Sequence, residues 1–406
     1  MQIDRGEKVV IKLESSALLQ KAKTLEDELI AIRRDFHQHP ELGFEEERTS
    51  SVVEKYLETL GLEVKRVAKT GVIAVLKGKV DGPTFALRAD MDALPIQDEK
   101  EVPYASTYKG LMHACGHDAH TTILLGAAKL LTEQGLEKGN VKFIFQPAEE
   151  GRGGASAMIE AGALEDVNAI AGLHVNAGID TGSITLSSEK VGCGAADFFS
   201  LSVIGSGGHA AHPHMTVDSI AVAGQVITAL QNISSRQINP SDPVVVTIGS
   251  IHGGNASNVI APKVEMTGTV RTLNPELRKK MPGMMEKIIK GTTEAFGGTY
   301  EFDFQFKFPS IINDEELTNL VEVTATEVLG NGHCKKEKPG LGGEDFSFYT
   351  EHVPAVFFRL GVGNENMVRY PLHHPKFDID ENAMPYGSAM LATVALNYLQ
   401  IEGEKK

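Results

Sequence analysis

The chain has 406 residues, of which 42% are hydrophobic, and a formal net charge of −15. At about 100 to 200 residues per domain, this length predicts two domains. The negative charge disfavours binding to nucleic acid or to an anionic membrane surface, so small molecules are the expected partners. The opening segment MQIDRGEKVVIKLESSALLQ carries charges throughout and is typical of neither a signal peptide nor a membrane span, which predicts a cytoplasmic protein. Three widely spaced cysteines, Cys115, Cys193 and Cys334, do not suit a disulfide framework.

Helix and strand patterns alternate along the first part of the chain. TLEDELIAIRRDFHQHPE has Thr24 as a candidate N-cap and apolar residues at helical spacing, namely Leu25, Leu29, Ile32 and Phe36. EERTSSVVEKYLETLG repeats this pattern and stops at Gly61, as helices commonly do. Strand-like runs follow in TGVIAVLKG, TFALRAD and VKFIFQPA. The alternation predicts an α/β sheet covered by helices.

The middle of the chain reads as a unit of its own. From Gly194 the patterns follow the order strand, helix, strand, strand, helix, strand, ending in TYEFDFQFKF. After Pro309 the first kind of pattern resumes, with the strand-like PAVFFRLG and the helix-like NAMPYGSAMLATVALNYLQ. We therefore predict a two-domain α/β fold in which a smaller α/β domain, 194–308, is inserted into a larger catalytic domain, 1–193 and 309–406.

Polar motifs follow several of the predicted strands. RADMDALP comes after TFAL, QPAEEG after VKFIF and LHVNAG after AIAG, whereas HACGHDAH precedes the apolar run TTILLGAAKLL. Open α/β sheets place their ligands at the carboxyl ends of the strands, so these motifs are expected to meet at one rim. Histidines are concentrated in HACGHDAH and PLHHPKF, which hold His113, His117, His120, His373 and His374. Such clustering favours a metal site.

The side chains at this rim suit first-row divalent ions. Thiolate, imidazole and carboxylate ligands are available from Cys115, His117, His174, His373 and either Glu149 or Glu150. So many ligands suit two ions about 3.5 to 4 Å apart, a pair that commonly activates water for hydrolysis. One of the adjacent glutamates would bind metal while the other accepts a proton, and Asp92 could orient an imidazole.

The motifs also occur in an order that resembles a known family. RADMDALP, HACGHDAH, QPAEEG, GLHV, GGHAA, GNASNVI, GTVRT, GGEDFSF and LHHP are similar to the two-metal aminoacylase and carboxypeptidase group, in particular its amidohydrolase branch of N-acyl-amino-acid amidohydrolases, hippurate hydrolases and auxin-conjugate hydrolases. The resemblance implies that Glu149 is the general base and that Asp92 orients the site. It also implies that five residues bind two ions, namely Cys115, His117, Glu150, His174 and His373. Mn, Zn and Co all suit this ligand set.

For the inserted domain, the resemblance implies a lid or dimerisation role. His209 of GGHAA would reach the active site of a partner subunit, and Asn258 and Arg271 would hold substrate. A homodimer or a dimer-based homo-oligomer is therefore expected. The order Leu-His-X-Pro favours His373 over His374 as the metal ligand.

These observations predict metal-dependent hydrolysis of the amide bond of small N-acyl amino acids. A carboxypeptidase or dipeptidase with the same residues is the alternative within this enzyme class. A second alternative is a metal-binding or ligand-sensing protein without catalysis, which should lack the base, yet Glu149 is present. A third is a purely structural dimer, in which metal would affect only stability. His113 and His120 are candidates either to support the ligands or to serve as buried structural histidines. The glycines at 205–208 are expected to shape a turn that presents His209, since no phosphate-binding Lys-Ser or Lys-Thr follows.

Overall fold

The computed structural model of the protein describes residues 17–404. Most of the opening segment, on which the absence of a signal peptide was predicted, lies outside these residues. Within the described range, none of the helices combines the length and the apolar character that crossing a membrane requires.

The chain divides into two compact units. The larger unit extends to Lys190 and resumes with Ile312–Lys338 and with the chain from Phe348 onwards, and the smaller unit comprises Val191–Ile311 and Pro339–Ser347. The last of these segments differs from the predicted division, which assigned 339–347 to the larger domain. It lies with the smaller unit because the N–H of Gly194 donates to the carbonyl of Gly340 (3.0 Å) and the thiol of Cys193 donates to that of Gly342 (2.6 Å).

Helices and strands alternate along the described residues. The strands are β1 (Glu63–Val67), β2 (Gly71–Lys77), β3 (Val80–Asp90), β4 (Lys138–Gln146), β5 (Ala169–Asp180), β6 (Ile184–Ser187), β7 (Val191–Cys193), β8 (Ala195–Ile204), β9 (Gly208–His209), β10 (Val244–Gly253), β11 (Val259–Ile260), β12 (Lys263–Thr272), β13 (Thr299–Phe308), β14 (Ile311–Ile312), β15 (Cys334–Glu337) and β16 (Ala355–Gly363). The helices are α1 (17–24), α2 (Glu26–Gln38), α3 (Glu47–Thr59), α4 (His117–Gln134), α5 (Gly154–Glu160), α6 (Ser219–Asn232), α7 (Pro275–Ala295), α8 (Glu315–Val328), α9 (Ser347–Thr350) and α10 (Met384–Glu404). Short 3₁₀ turns at Pro213–Met215 and Glu381–Ala383 and a π-helical turn at Ile233–Gln237 complete the helical segments.

The larger unit is built on an eight-stranded sheet in the order β1-β2-β4-β3-β5-β16-β6-β15. Its centre is parallel, since β3 pairs in parallel with β4 and β5, and β16 pairs in parallel with β5. β1 and β2 form an antiparallel edge, and β6 runs antiparallel to β16. Helices α4 and α10 pack against each other and against β3. The predicted α/β fold with an inserted smaller α/β domain is confirmed.

The first two predicted helices form, but one predicted cap does not. The hydroxyl of Thr24 donates to the carbonyl of Lys21 (2.7 Å), so Thr24 belongs to the end of α1. The N-cap of α2 is Leu25, which makes no capping hydrogen bond with its side chain; the prediction of Thr24 as N-cap is therefore wrong. The end of α3 agrees with the prediction, because Gly61 follows it with φ of +78°, a conformation that glycine adopts without strain.

The smaller unit contains a four-stranded antiparallel sheet in the order β10-β12-β8-β13. The strands and helices follow the chain order β8, α6, β10, β12, α7, β13, as the sequence patterns indicated. Helices α6 and α7 pack together and enclose a core with the sheet, in which Leu201, Val226 and Met285 are buried. A short antiparallel pair, β9 with β11, carries His209.

Candidate metal centre

The carboxyl ends of neighbouring parallel strands supply the first part of the site. β3 ends at Asp90, and Asp92 follows two residues later; β4 ends at Gln146, and Glu149 and Glu150 follow it. Since β3 and β4 are parallel neighbours, these carboxylates lie at the same edge of the sheet.

His174 reaches the cluster from within a strand. The sequence pattern placed it after a strand, but β5 runs on to Asp180 because β16 keeps pairing with β5 on both sides of His174. Nδ1 of His174 lies 2.8 Å from the carbonyl oxygen of Val175 and donates to it, which leaves Nε2 as the ligand atom.

The amino end of α4 brings in the cysteine and a second histidine. The N-cap is Gly116, with φ of +87°, between Cys115 and His117. A Cβ on Gly116 would lie 2.3 Å from the Val175 side chain, so the residue is required for this close approach as well as for its backbone conformation. The glycine of HACGHDAH therefore allows both flanking ligands to reach one point.

Two groups of donor atoms share the thiol of Cys115. Cys115, His117 and His174 form one group and Cys115, Glu150 and His373 the other, with the donor atoms of each group within 4.8 Å of one another. Sγ of Cys115 lies 3.4 Å from Nε2 of His174, and Oε1 of Glu150 lies 3.2 Å from Nε2 of His373.

The loop that carries His373 is hydrogen-bonded to the segment that carries Cys115. The N–H of His373 donates to the carbonyl of Ala114 (2.8 Å), beside Cys115, and His373 adopts φ of +65°. Its neighbour His374 stacks on Tyr370 instead (ring centroids 4.4 Å apart). Of the two adjacent histidines, His373 is thus the one among the donor groups.

Asp92 orders the site through both of its oxygens. Oδ1 accepts the backbone N–H of Glu149 (3.0 Å) and Oδ2 that of Glu150 (3.0 Å). Oδ1 also lies 3.2 Å from Nδ1 of His117. Among the described residues, the buried Nε2 of His117 has no hydrogen-bond partner. An orphaned imidazole nitrogen beside a thiol and a carboxylate fits a bound cation.

The pKa shifts of three of the proposed ligands fit a cation at this point. Burial lowers the pKa of His174 well below its ordinary value, so its imidazole is neutral and can act as a ligand. Burial opposes ionisation of Glu150, but its hydrogen bond with His373 holds the pKa below the usual value. Burial raises the pKa of the Cys115 thiol well above the ordinary value. A divalent cation is the partner that would stabilise this thiolate.

His120 and His113 differ in how their ring nitrogens are used. Nδ1 of His120 donates to Asp90 (2.6 Å), and Nε2 accepts the N–H of Val175 (2.9 Å), so neither nitrogen is available to an ion. Asp90 in turn accepts from the buried guanidinium of Arg88 (2.6 Å). His113 is buried, has no hydrogen bond on either ring nitrogen in the part of the chain described, and has its pKa lowered to about 3 by burial.

Three residues with predicted roles belong to the smaller unit. His209 is exposed in β9 and faces Val259 of β11 in the register, and the N–H of Ala210 donates to the carbonyl of Asn258 (3.1 Å). Arg271 lies in β12, with its guanidinium carbon 5.8 Å from the centre of the Phe198 ring. His209 and Asn258 are therefore close together, and Arg271 lies on a different strand.

A buried ion-pair network beneath α4 was missed by the sequence reasoning. The fully buried Arg33 of α2 donates to Asp118 of α4 through Nε (2.8 Å), and Asp118 also lies 2.6 Å from Nδ1 of His37. The sequence does indicate that Arg33 is buried. Arg33 is four residues after Leu29 and three before Phe36, so it lies on the apolar face of α2.

Cysteine, histidine and paired carboxylates meet where a parallel sheet edge adjoins the amino end of a helix, an arrangement that suits a metal-dependent hydrolase. The sequence profile described as Peptidase family M20/M25/M40 matches residues 86–397. The chain belongs to this family, which confirms the resemblance drawn from the motifs.

Proteins with similar sequences and structures cover almost the whole chain. An N-acetylcysteine deacetylase of Bacillus subtilis is 40% identical over 382 residues, covering 93% of this chain and 98% of the relative. An IAA-amino acid hydrolase of Arabidopsis thaliana is 41% identical over 390 residues, covering 94% of this chain and 88% of the relative. The crystal structure of a dinuclear metal-binding peptidase of the M20 family from Bacillus subtilis aligns with a TM-score of 0.83 at 38% identity, covering 93% of this chain and 99% of that protein.

Proposed function

We propose that this protein hydrolyses the amide bond of small N-acyl amino acids and that it does so with two divalent metal ions. The observation that carries the proposal is the thiol of Cys115, which belongs to two adjacent groups of donor atoms. The B. subtilis relative of similar structure is a dinuclear metal-binding peptidase, and this supports two ions rather than one.

The assignment of ligands follows the two groups. Cys115, His117 and His174 would hold one ion, and Cys115, Glu150 and His373 the other. Thiolate, imidazole and carboxylate suit Mn, Zn and Co alike, so the ligand set alone does not select among them. When bound, such a pair polarises the amide carbonyl and lowers the pKa of the attacking water.

Glu149 is the proposed general base. It is 7% exposed, and its backbone is held by Asp92 beside Glu150. As the water oxygen bonds to the amide carbon, the water proton passes to the carboxylate of Glu149. Glu149 then delivers that proton to the amide nitrogen while the C–N bond breaks, which yields a carboxylic acid and an amino acid.

The smaller unit would complete the site in a homodimer. His209, exposed on the short pair β9 and β11, is the proposed donor to the oxyanion in the active site of the partner subunit. Asn258 and Arg271 are proposed to hold the substrate, the guanidinium of Arg271 by binding the carboxylate of the amino acid. In these proposals the unit acts as both lid and dimerisation domain.

The relatives support the substrate class. Deacetylation of N-acetylcysteine and cleavage of an IAA-amino acid are both hydrolyses of an N-acyl amino acid. Hydrolysis of small peptides is the second candidate, because the relative of known structure is called a peptidase.

One panel of assays tests these alternatives. Apo-protein is reconstituted separately with Mn²⁺, Zn²⁺ and Co²⁺ and assayed with N-acetyl, N-benzoyl and indoleacetyl amino acids and with dipeptides. We expect metal-dependent release of amino acid from at least one N-acyl series at higher kcat/KM than from dipeptides. Faster dipeptide cleavage would favour the second candidate, and no turnover with any metal would contradict both.

A further inference from the structure

We propose that Glu46 is a positioning residue for the carboxylate pair, because it holds the turn from which Glu149 and Glu150 project. The inference rests on the proposed function, in which these glutamates serve as base and ligand. Glu46 is remote in sequence from the motifs that supply the proposed metal ligands and the base.

The turn after β4 is conformationally demanding. Ala148 has φ of +56°, a left-handed conformation that is energetically unfavourable for a residue with a Cβ. The carbonyl of Ala148 accepts the N–H of Gly154 (3.1 Å), at the start of α5. Because Glu149 directly follows Ala148, any relaxation of Ala148 would re-aim both glutamates.

Glu46 supplies the contact that holds this conformation. Its side chain is fully buried, Oε1 accepts the N–H of Ala148 (2.9 Å), and Oε2 accepts the hydroxyl of Thr70 (2.6 Å). Three successive backbone N–H groups of the turn therefore donate to carboxyl groups. The N–H of Ala148 donates to Glu46, and those of Glu149 and Glu150 donate to Asp92.

The segment around Glu46 contacts the same turn at further points. A Cβ on Gly43 would lie 2.8 Å from Cα of Ala148, and the guanidinium of Arg152 donates to the carbonyl of Gly43 (2.8 Å). On its other side the carbonyl of Glu41 accepts the N–H of Ala93 (2.8 Å), next to Asp92. Residues 41–46 thus fix the carboxylate turn and the Asp92 backbone to each other.

The buried position also indicates which substitution is conservative. Burial raises the pKa of Glu46 to about 7, although the hydrogen bond from Thr70 opposes the rise. In Glu46→Gln the amide oxygen can still accept from Ala148, and the amide N–H can donate to the Thr70 hydroxyl.

The first test compares Glu46→Leu, Glu46→Gln and Glu47→Leu. Leucine fills the space but accepts no hydrogen bond, so Glu46→Leu should lower kcat by about 10-fold or more and weaken the affinity for Co²⁺, titrated alone into apo-protein, to a similar extent. Glu46→Gln should retain most of both properties. Glu47, one residue away and with a 70% exposed side chain, is the matched control and should change neither. Unchanged kcat and Co²⁺ affinity in Glu46→Leu would overturn the proposal.

A second variant separates positioning from a general loss of stability. Glycine adopts positive φ without the Cβ penalty, so Glu46→Leu/Ala148→Gly should recover part of the kcat and Co²⁺ affinity lost in Glu46→Leu. A folding defect unrelated to this turn would not be corrected by that second change, and a double variant no better than Glu46→Leu would contradict the proposal.

The Glu149→Ala background distinguishes this proposal from the proposed function. If Glu46 acts on turnover by aiming Glu149, Glu46→Leu should lower kcat little further once Glu149 is alanine. An equal fractional loss in both backgrounds would contradict positioning of the base. If Glu149→Ala alone retained full activity, the proposed function would lose its base, while Co²⁺ affinity would still test whether Glu46 positions Glu150.

Discussion

Oδ1 of Asp92 lies 3.2 Å from Nδ1 of His117, so the imidazole presents Nε2 to the cluster. The same carboxylate accepts the N–H groups of Glu149 and Glu150. In Asp92→Asn, one of the acceptor oxygens becomes an NH₂ group that cannot accept these bonds. We expect metal affinity or kcat/KM to fall by about 10- to 100-fold, measured by Co²⁺ titration and amidase assay. Wild-type values for both would show that Asp92 does not order the site.

Glu149→Ala should abolish most of the turnover but leave the metal in place. A side chain that moves protons without binding an ion contributes about 100-fold or more to kcat. Metal content by elemental analysis and kcat on an N-acyl amino acid would be compared with those of wild type. Loss of the metal would mean that the roles of Glu149 and Glu150 are exchanged, and unchanged turnover would exclude Glu149 as the base.

Cys115→Ser should weaken metal binding. Co²⁺ bound to a thiolate gives a sulfur-to-metal charge-transfer band, which should be present in wild type and absent from the variant. Cys193→Ser and Cys334→Ser are matched controls, since neither residue belongs to the donor groups among the described residues. The same spectrum in wild type and Cys115→Ser would remove Cys115 from the ligands.

Mixing two inactive variants tests whether His209 acts across a dimer. His209→Ala and Glu149→Ala should each be nearly inactive, whereas subunit exchange between them should restore activity. About half of the dimers in an equal mixture are heterodimers, and one of the two sites in each is intact, so recovery to about a quarter of wild-type activity is expected. Mass spectrometry would verify the exchange. If exchange occurred without recovery, His209 would not serve a neighbouring subunit.

Arg33→Met should destabilise the larger unit, because it removes the buried guanidinium that pairs with the buried Asp118. The loss should be about 3–5 kcal/mol, measured by urea denaturation followed by circular dichroism. Arg34→Met is the control, since Arg34 is 44% exposed and its pair with Glu381 should contribute at most about 1 kcal/mol. Equal effects of the two substitutions would argue against a special role for the buried pair.

The same pair predicts a dependence of stability on pH. Burial opposes ionisation of Asp118, but the positive charge of Arg33 holds its pKa well below the usual range. A carboxyl group whose pKa is lowered in the folded state stabilises the fold above its unfolded pKa of about 4, and this contribution is lost as the pH falls further. As the pH falls below about 4, the free energy of unfolding of wild type should therefore decrease more than that of Arg33→Met.

The elements that could be predicted from sequence are those fixed by local periodicity. β3 and β4 were recognised as apolar runs that end at polar residues, and their parallel pairing brings Asp92 near Glu149 and Glu150. His174 was assigned to the cluster but placed at the wrong point of its strand, because the length of β5 depends on pairing with β16. Periodicity within one segment does not encode the pairing of two strands.

The contacts that escaped prediction join distant parts of the chain. Arg33 and Asp118 are 85 positions apart, and Glu46 and Ala148 are 102 positions apart. The local sequence around either residue of a pair does not predict its distant partner. The contacts depend on how α2 packs with α4 and on how the start of α3 packs with the turn after β4. Thr24 shows the same limit at short range, because a good capping residue served the end of α1 instead of the start of α2.

The position of β16 in the large sheet determines when that sheet can be completed during translation. β16 pairs on one side with β5 and on the other with β6, and both of these strands are translated before the smaller unit, whereas β16 is translated after it. Until then the nascent chain holds β5 and β6 without the strand that joins them, and such unpaired strand edges favour aggregation. His373 is translated later still. A truncated translation product that ends in the smaller unit would therefore have an incomplete sheet and lack one of the proposed ligands, so it could not form the proposed metal centre.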